Sequence, residues 1–412
     1  MEVPIVLHVA DNFGTDQTNM HGGAHLFANW LPYANRRGGY RHELCSLRFR
    51  NAAARALEAH GITAHYLETG RFNPVAIWRL WRLVRRKQPH LLHLHQWGSQ
   101  AIGRIVARLC GVPTILHIHM ADSPVPGYVR FLNRALERYT TRAIAVSEAA
   151  KRFGIERLGI REEKISVIAN GVTLDRFSPR SPEERTEARN QLGIPADRLV
   201  VGCVGRLESG KGQEILLRAL PQAVRYVPHI LCVLVGDGRC RQALEQLVDQ
   251  LGIRLHVRIA GYVPEVHRWF ATFDLHVVPS LFEGFCLVAV EAMACGLPQV
   301  VTRVGALPEI LEEGQTGYFV TPGDPGALAE RVVALLRDPD ARVRMGDQAR
   351  AAAARYGIET MSERIESLYT SILSRRYDSG IQYDQHTCGR LKSAIVSASG
   401  GLAEATSRGH EA

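Results

Sequence analysis

The run GRLESGKG occupies residues 205–212. Gly205, Gly210 and Lys211 fit the opening of a phosphate loop, G-x-x-x-x-G-K. Gly212 stands where such a loop carries the Ser or Thr hydroxyl that ligates magnesium. The missing hydroxyl argues against an ATP-hydrolysing loop. The run still follows an apolar strand pattern and precedes a helical one, so backbone N–H groups at a helix start can hold phosphate there. Arg206 and Lys211 add two cations. The alternative is a glycine turn with solvated charges.

A second chemical unit is FEGFCLVAVEAMACGLP at 282–298, with Glu283 and Glu291 eight positions apart. Glu283 precedes a glycine and is expected in a loop, whereas Glu291 falls inside an apolar helix. Eight helical residues span roughly 12 Å, too far for a close carboxylate dyad but suited to gripping two ends of one extended ligand. Carboxylates accept hydrogen bonds from sugar hydroxyls well. Glu291 is conspicuous because its neighbours LVAV and AMA are apolar, and an unpaired buried charge is costly. The bland alternative is a capping Glu283 and a salt-bridged Glu291.

Two H-x-H pairs complete the set, His93 with His95 and His117 with His119. Strand alternation puts each pair on one face. Four histidines raise the question of zinc. No nearby Cys, Asp or Glu pattern fixes a metal geometry, and structural or substrate-contact roles are the expectation.

These motifs need elements to hold them. Apolar runs at 3–10, 44–48, 63–67, 90–95, 113–119, 143–147 and 165–168 read as strands, with helical patterns at 24–36, 74–87, 99–110 and 128–139 between them. Alternating strands and helices imply a mostly parallel sheet, here a first domain over 1–175. The polar stretch 176–198 reads as a linker. Strand patterns at 199–205, 230–236, 256–261, 275–280 and 299–302 open a second domain over 199–357. Two α/β domains of similar size imply a cleft between them, the default ligand site. Helices are expected at 325–337, 340–355 and 358–374, and the tail 375–412, with SASGG at 397–401, reads as disordered.

Composition agrees with a soluble two-domain chain. At 46% hydrophobic and 22% charged residues, wholesale disorder and fibrous classes are excluded. No stretch approaches the roughly 20 apolar residues of a membrane span, and no secretory signal opens the chain. The eight cysteines form no C-x-x-C pair and mostly sit in apolar segments. They read as buried hydrophobes in a cytoplasmic protein. The net charge of +9 favours anionic partners, but it is spread along the chain without a nucleic-acid recognition motif.

Taken with GGAHLFANWL at 22–31, HIH at 117–119, NGV at 170–172 and VTRVGALPEILEEGQTGYFVTPGD at 301–324, the GRLESGKG and EGFCLVAVE units resemble a family 4 glycosyltransferase. The resemblance covers about residues 3–374. It implies the GT-B fold, with two Rossmann-like domains facing a central cleft, and retaining transfer of a sugar from a nucleotide-sugar donor, UDP- or GDP-linked, to a hydroxyl acceptor. Lipid-linked and saccharide acceptors are both open. No cofactor or metal is expected, since Arg206 and Lys211 would neutralise the diphosphate and the charge that develops as its bond to the sugar breaks.

The same resemblance assigns roles to other residues. Glu291 would contact the ribose hydroxyls. Glu283 and the backbone around Phe285, Cys286 and Leu287 would orient the donor sugar and phosphate. Gly22 and Gly23 would let a first-domain loop approach the diphosphate. His119 would face the cleft, position the donor sugar and stabilise the reacting centre. His119, Glu283, Arg206 and Lys211 are thus the expected catalytic group, with no nucleophile implied. Cys286, where the family often has glycine, and Arg303 are departures. The 358–374 helix is expected to cross to the first domain. The competing reading is a non-catalytic nucleotide-sugar or phospholigand binding protein, which does not need the full set.

One segment points elsewhere. VAIWRLWRLVRRK at 75–87 carries Trp78 and Trp81 three apart, with five cations and no acid. Such a helix can rest on an anionic membrane at the inner face of a bilayer, or pack on the sheet with its arginines in water.

Overall fold

The structure is a computed structural model that describes residues 3–14, 22–70, 73–121 and 124–378. The expected tail lies outside these residues, except that the last helix runs on to Asp378. Two Rossmann-like α/β domains make up the fold. The first is built on seven strands: β1 (Ile5–Ala10), β2 (Arg41–Ser46), β3 (Ala64–Tyr66), β4 (Leu91–Leu94), β5 (Thr114–Ile118), β6 (Arg142–Ala145) and β7 (Ile165–Val167). They are all parallel, in the order β3-β2-β1-β4-β5-β6-β7.

The second sheet has six parallel strands: β8 (Leu199–Val204), β9 (Ile230–Val235), β10 (Val257–Gly261), β11 (Leu275–Val278), β12 (Gln299–Thr302) and β13 (Gly317–Val320). Their order is β10-β9-β8-β11-β12-β13. β13 was not anticipated. Its four residues, GYFV, are too few to show a period.

Parallel strands buried on both faces need apolar residues throughout, and β9 is buried at all of its positions. In each sheet the strand order reverses once, between β1 and β4 and between β8 and β11. Loops leaving the carboxyl ends of such neighbours diverge and open a crevice, where ligands of these folds bind. The loop after β8 carries Gly205–Gly212, and the loop after β11 carries Glu283. Chain order thus separates the two motifs, and sheet order reunites them.

The stretch read as a linker holds a helix, Pro182–Gln191. Ser181 caps it, Pro182 sits in its first turn, and Glu184 returns a hydrogen bond to the cap. With no apolar stripe, the helix left no periodic signal. It is held by charge: Arg185 and Arg189 bind Asp274 at 2.7 and 2.8 Å.

The last helix, Ile358–Asp378, lies against the first sheet. Trp30 donates to Ser362 (3.2 Å), the Tyr40 and Thr370 hydroxyls share a hydrogen bond (2.7 Å), and Arg37 pairs with Glu363 (3.2 Å). The NGV motif explains its approach. A Cβ at Gly171 would sit 2.6 Å from Ile358 Cα, so only glycine lets this helix start there. The two domains also meet directly. The Glu309 carboxylate accepts from the Glu148 and Ala149 amides, both at 2.8 Å, at the start of helix Glu148–Glu156. A carboxylate there satisfies orphan amides and complements the helix dipole.

Candidate active site

Lys211 ends a single 3₁₀ turn, Ser209–Lys211, and Gly212 follows with φ +68°. A Cβ on Gly212 would lie 1.9 Å from the Pro279 carbonyl oxygen. The glycine where a phosphate loop has Ser or Thr is therefore what lets the β8 loop pack against the β11 loop. Across that contact Lys211 Nζ donates to Glu283 Oε1 at 2.6 Å, and Ser280 Oγ donates to the same oxygen at 2.8 Å. Burial alone would lower the Lys211 pKa, but the neighbouring Glu283 outweighs it and raises it.

Arg206 is partly exposed at the start of the same loop, and its guanidinium has no hydrogen bond or ion pair among the described residues. Its backbone carbonyl accepts from Gln213 at 2.9 Å, which fixes the loop beneath it. The loop thus offers one cation already coupled to a carboxylate and one uncommitted.

Glu291 lies in the short helix Leu287–Ala294, and its carboxylate likewise has no hydrogen bond or ion pair among the described residues. The salt bridge considered as its bland explanation is not formed. Burial pushes its pKa up to about 7, and nearby Arg176 offsets only part of that. An unpaired carboxylate with that environment is a candidate ligand-binding group.

Cys286 precedes this helix in the left-handed conformation, φ +71°. That conformation costs a non-glycine residue about 1–2 kcal/mol, which is the physical reason a glycine suits the position. Phe285 and Cys286 are buried, Leu287 partly so, and burial raises the Cys286 thiol pKa. Arg303 is tied up locally, 3.5 Å from Glu313 and over the Phe319 ring.

His119 follows β5 directly and is partly buried. The adjoining backbone is in contact with the second domain: a Cβ on Gly284 would lie 1.9 Å from the His119 carbonyl oxygen, and Gly284 accepts from Ser147 at 2.9 Å. The residue after Glu283 therefore rests on the residue that follows β5. Gly22 and Gly23 are the first residues of helix Gly22–Arg37 rather than part of a loop, so their amides belong to a helix N-terminus.

The structure thus brings together Lys211 with Glu283, and the Gly284 backbone with His119. Two participants were missed: Ser280, whose carbonyl is held by Thr302 (2.5 Å), and His95, whose Nδ1 lies 3.1 Å from His119 Nε2. The Ser280–Glu283 spacing resembles a capping pair and could have flagged the serine. His95 was visible only as half of an H-x-H pair.

Comparison with known proteins identifies the family. Residues 22–176 match the family model "Glycosyltransferase Family 4" and residues 184–352 match "Glycosyl transferases group 1". A D-inositol 3-phosphate glycosyltransferase of Corynebacterium jeikeium is 31% identical over 302 residues, covering 68% of this chain and 72% of that protein. Its counterpart in Corynebacterium urealyticum is 36% identical over 302 residues, with 68% and 71% covered. Among solved structures, Anabaena HepE in complex with UDP-glucose superposes with a TM-score of 0.78 at 26% identity, covering 89% of this chain and 99% of that one. The fold and site define a glycosyltransferase of GT-B architecture. The chain belongs to the family 4 glycosyltransferases, enzymes that move a sugar from a nucleotide-sugar donor to an acceptor.

Two outcomes follow from the site. Arg206→Ala should lower kcat/KM for the donor by about 10- to 150-fold, the worth of one charge-assisted hydrogen bond, with the melting temperature unchanged. Lys211→Ala should lower both, because it also strips the nearly buried Glu283 of its counter-charge. Steady-state kinetics with thermal denaturation separates the two.

Glu291 gives a pH signature. Its pKa is raised from 4.5 to about 7 on folding, so the folded state holds the extra proton and stability falls as pH rises between those values. Glu291→Gln should therefore melt higher than wild type at pH 8, by a gain on the order of 2–3 kcal/mol. That gain should vanish below pH 4.5. Equal melting at pH 8 would count against the raised pKa.

Proposed function

We propose that this enzyme transfers a sugar from a UDP-linked donor to a hydroxyl acceptor with retention of anomeric configuration. The observation that carries the reading is the meeting of Lys211, Glu283 and the His119 backbone at one place, through Gly212 and Gly284. Arg206 and Lys211 bind the diphosphate and stabilise its growing charge as the glycosidic bond breaks. No divalent metal is needed for that task. Glu291 accepts hydrogen bonds from the ribose. Glu283, with Phe285, Cys286 and Leu287, orients the donor sugar and phosphate, and its pairing with Lys211 couples sugar position to leaving-group charge. Gly22 and Gly23 open the helix whose N-terminus approaches the diphosphate, and His119 positions the sugar.

The HepE structures with UDP and UDP-glucose support uridine as the base. The resemblance to family 4 supports retention. Glu283 is not a nucleophile in this reading, because its carboxylate is already engaged by Lys211 and Ser280. A panel of UDP- and GDP-sugars offered with cell extract, followed by mass and NMR analysis of the new linkage, should give a product only from a UDP-sugar and with the donor's anomeric configuration. A clean inversion overturns the retaining assignment. Nucleotide-sugar binding without product under all conditions favours a binding protein.

The acceptor we propose is lipid-linked or a saccharide, reached at the inner face of a membrane. Seven cysteines among the described residues are free thiols, five of them buried, which suits a reducing cytoplasm. Among the described residues no helix is long and apolar enough to cross a membrane, so contact would be peripheral.

The basic helix Val75–Lys87 supports such contact on one side only. Trp81 packs on the core, Arg79 is bound to the Glu68 carbonyl and Lys87 to Glu43, which leaves Trp78, with Arg82 over its ring, and Arg86 facing out. Helix Gly127–Leu136 adds exposed Tyr128, Phe131 and Leu132 beside Arg130 and Arg134. Apolar side chains flanked by arginines fit an anionic lipid surface. The protein should float with anionic but not neutral vesicles, and salt or joint replacement of Arg82, Arg85 and Arg86 should weaken it. Absence of binding to both vesicle types rejects membrane contact.

A further inference from the structure

Six histidines lie together under the first sheet, and the chemistry above uses one of them. His8 of β1, His42 of β2, His93 of β4 and His117 of β5 are buried, as is His95 just past β4, while His119 is partly buried. Alternation puts His8, His93, His95, His117 and His119 on the sheet face covered by helices Gly22–Arg37 and Ile358–Asp378, beside Val6, Leu91 and Ile115. Four of the rings form a chain. His42 Nδ1 lies 2.9 Å from His8 Nε2, His8 Nδ1 lies 3.0 Å from His95 Nε2, and His95 Nδ1 lies 3.1 Å from His119 Nε2. In the last two pairs the ring planes lie within 24° and 21° of parallel and the centroids are 5.2 and 5.4 Å apart.

We propose that His42, His8 and His95 are positioning residues that lock His119 in its Nδ1–H tautomer, making it a hydrogen-bond donor at the cleft. This rests on the placement of His119 at the donor sugar given above. Each link needs one proton between its two nitrogens. A neutral imidazole carries one N–H, and burial keeps His8 and His95 well below the usual histidine range and His42 down to about 4. These three neutral rings therefore supply one proton to each of the three links, and the state of the chain's buried end sets the direction in which all three point.

One end is His42 Nε2, which is buried and has no hydrogen-bond partner. A buried N–H without an acceptor is the rarer and costlier defect, so that nitrogen keeps a lone pair. Each ring then donates from Nδ1 to the next ring's Nε2, so His119 Nε2 accepts from His95 and the His119 proton sits on Nδ1. The partner a histidine nitrogen makes decides which nitrogen is protonated, and here the decision is taken three rings away. His117 stacks on His119 with centroids 4.0 Å apart and is itself tied to His93, which holds the plane of the ring.

Two triads here could be read as metal sites, His8 with His93 and His95, and His95 with His117 and His119. Zinc needs three lone pairs converging on one point about 2.0–2.1 Å from each nitrogen. The His93–His95 and His117–His119 rings are stacked within 23° and 19° of parallel, and the nitrogens that face one another across the chain are already hydrogen-bonded. A metal would have to break these links.

The test is side-chain proton–nitrogen correlation NMR on the full chain labelled with ¹⁵N-histidine, with His119→Asn used only to assign its signals. His119, His95 and His8 should each show a protonated Nδ1 and a bare Nε2. His95→Phe removes the constraint, so His119 should move toward the Nε2–H form that imidazole prefers in water, and KM for the nucleotide sugar should rise by roughly three- to tenfold. An Nε2–H His119 in the wild type overturns the proposal, as does stoichiometric uptake of added zinc with loss of these signals. The wild-type spectrum decides the matter even if His95→Phe fails to fold. The expected tautomers with an unchanged KM in His95→Phe would uphold the chain and overturn instead the reading of His119 as a sugar contact.

Discussion

A carboxylate with 7% of its surface exposed must be paired or lose its charge. Glu283 is paired, by Lys211 and by Ser280, and the second domain's site is arranged around that requirement. The lysine comes from the loop after β8 and the glutamate from the loop after β11. They can meet because these strands are neighbours in the sheet, although 72 residues separate the two side chains. Gly212 makes the approach sterically feasible. In the proposed reaction the ion pair has a second use: the lysine that would neutralise the departing diphosphate is tied to the carboxylate that would orient the sugar, so neither moves alone.

The same economy governs the contact between domains. Gly284 packs on the His119 carbonyl, Ser147 donates to the Gly284 carbonyl while capping its own helix, and Glu309 supplies the carboxylate to that helix's first amides. The Ser147 and Glu309 hydrogen bonds each satisfy backbone groups that would otherwise be left unpaired at the boundary. The crossing helix adds a second tie, seated by Gly171 and anchored on Trp30, Tyr40 and His93.

The histidine face shows how a parallel sheet can carry polar groups through its core. Burial disfavours charge on the imidazoles of His8, His42, His93, His95 and His117, and the rings satisfy one another in pairs and chains. Tyr369 of the crossing helix closes one of these by hydrogen bonding to His93 at 2.6 Å. The cost is a few atoms without partners, Nε2 of His42 and of His117. Such leftovers set the direction of the hydrogen bonds and so reach the cleft.

The sequence by itself determined much of this. Apolar runs broken by glycine, alternating with helical patterns, were enough for two parallel α/β units, and GRLESGKG with the spaced glutamates marked the two segments whose loops meet after β8 and β11. Short strand β13 and the charged helix Pro182–Gln191 escaped because four residues show no period and a helix held by ion pairs has no apolar stripe. Only the tertiary structure decided which groups touch. Spacing along the chain is fixed by covalent geometry, but neighbours in a parallel sheet are fixed by strand order, which local sequence does not encode. Lys211 was therefore legible as a cation and not as the partner of Glu283. Glu291 was legible as an odd charge and not as an unpaired one. The H-x-H pairs were legible as histidines on one face, while the chain that runs from His42 to His119 exists only where four strands lie side by side.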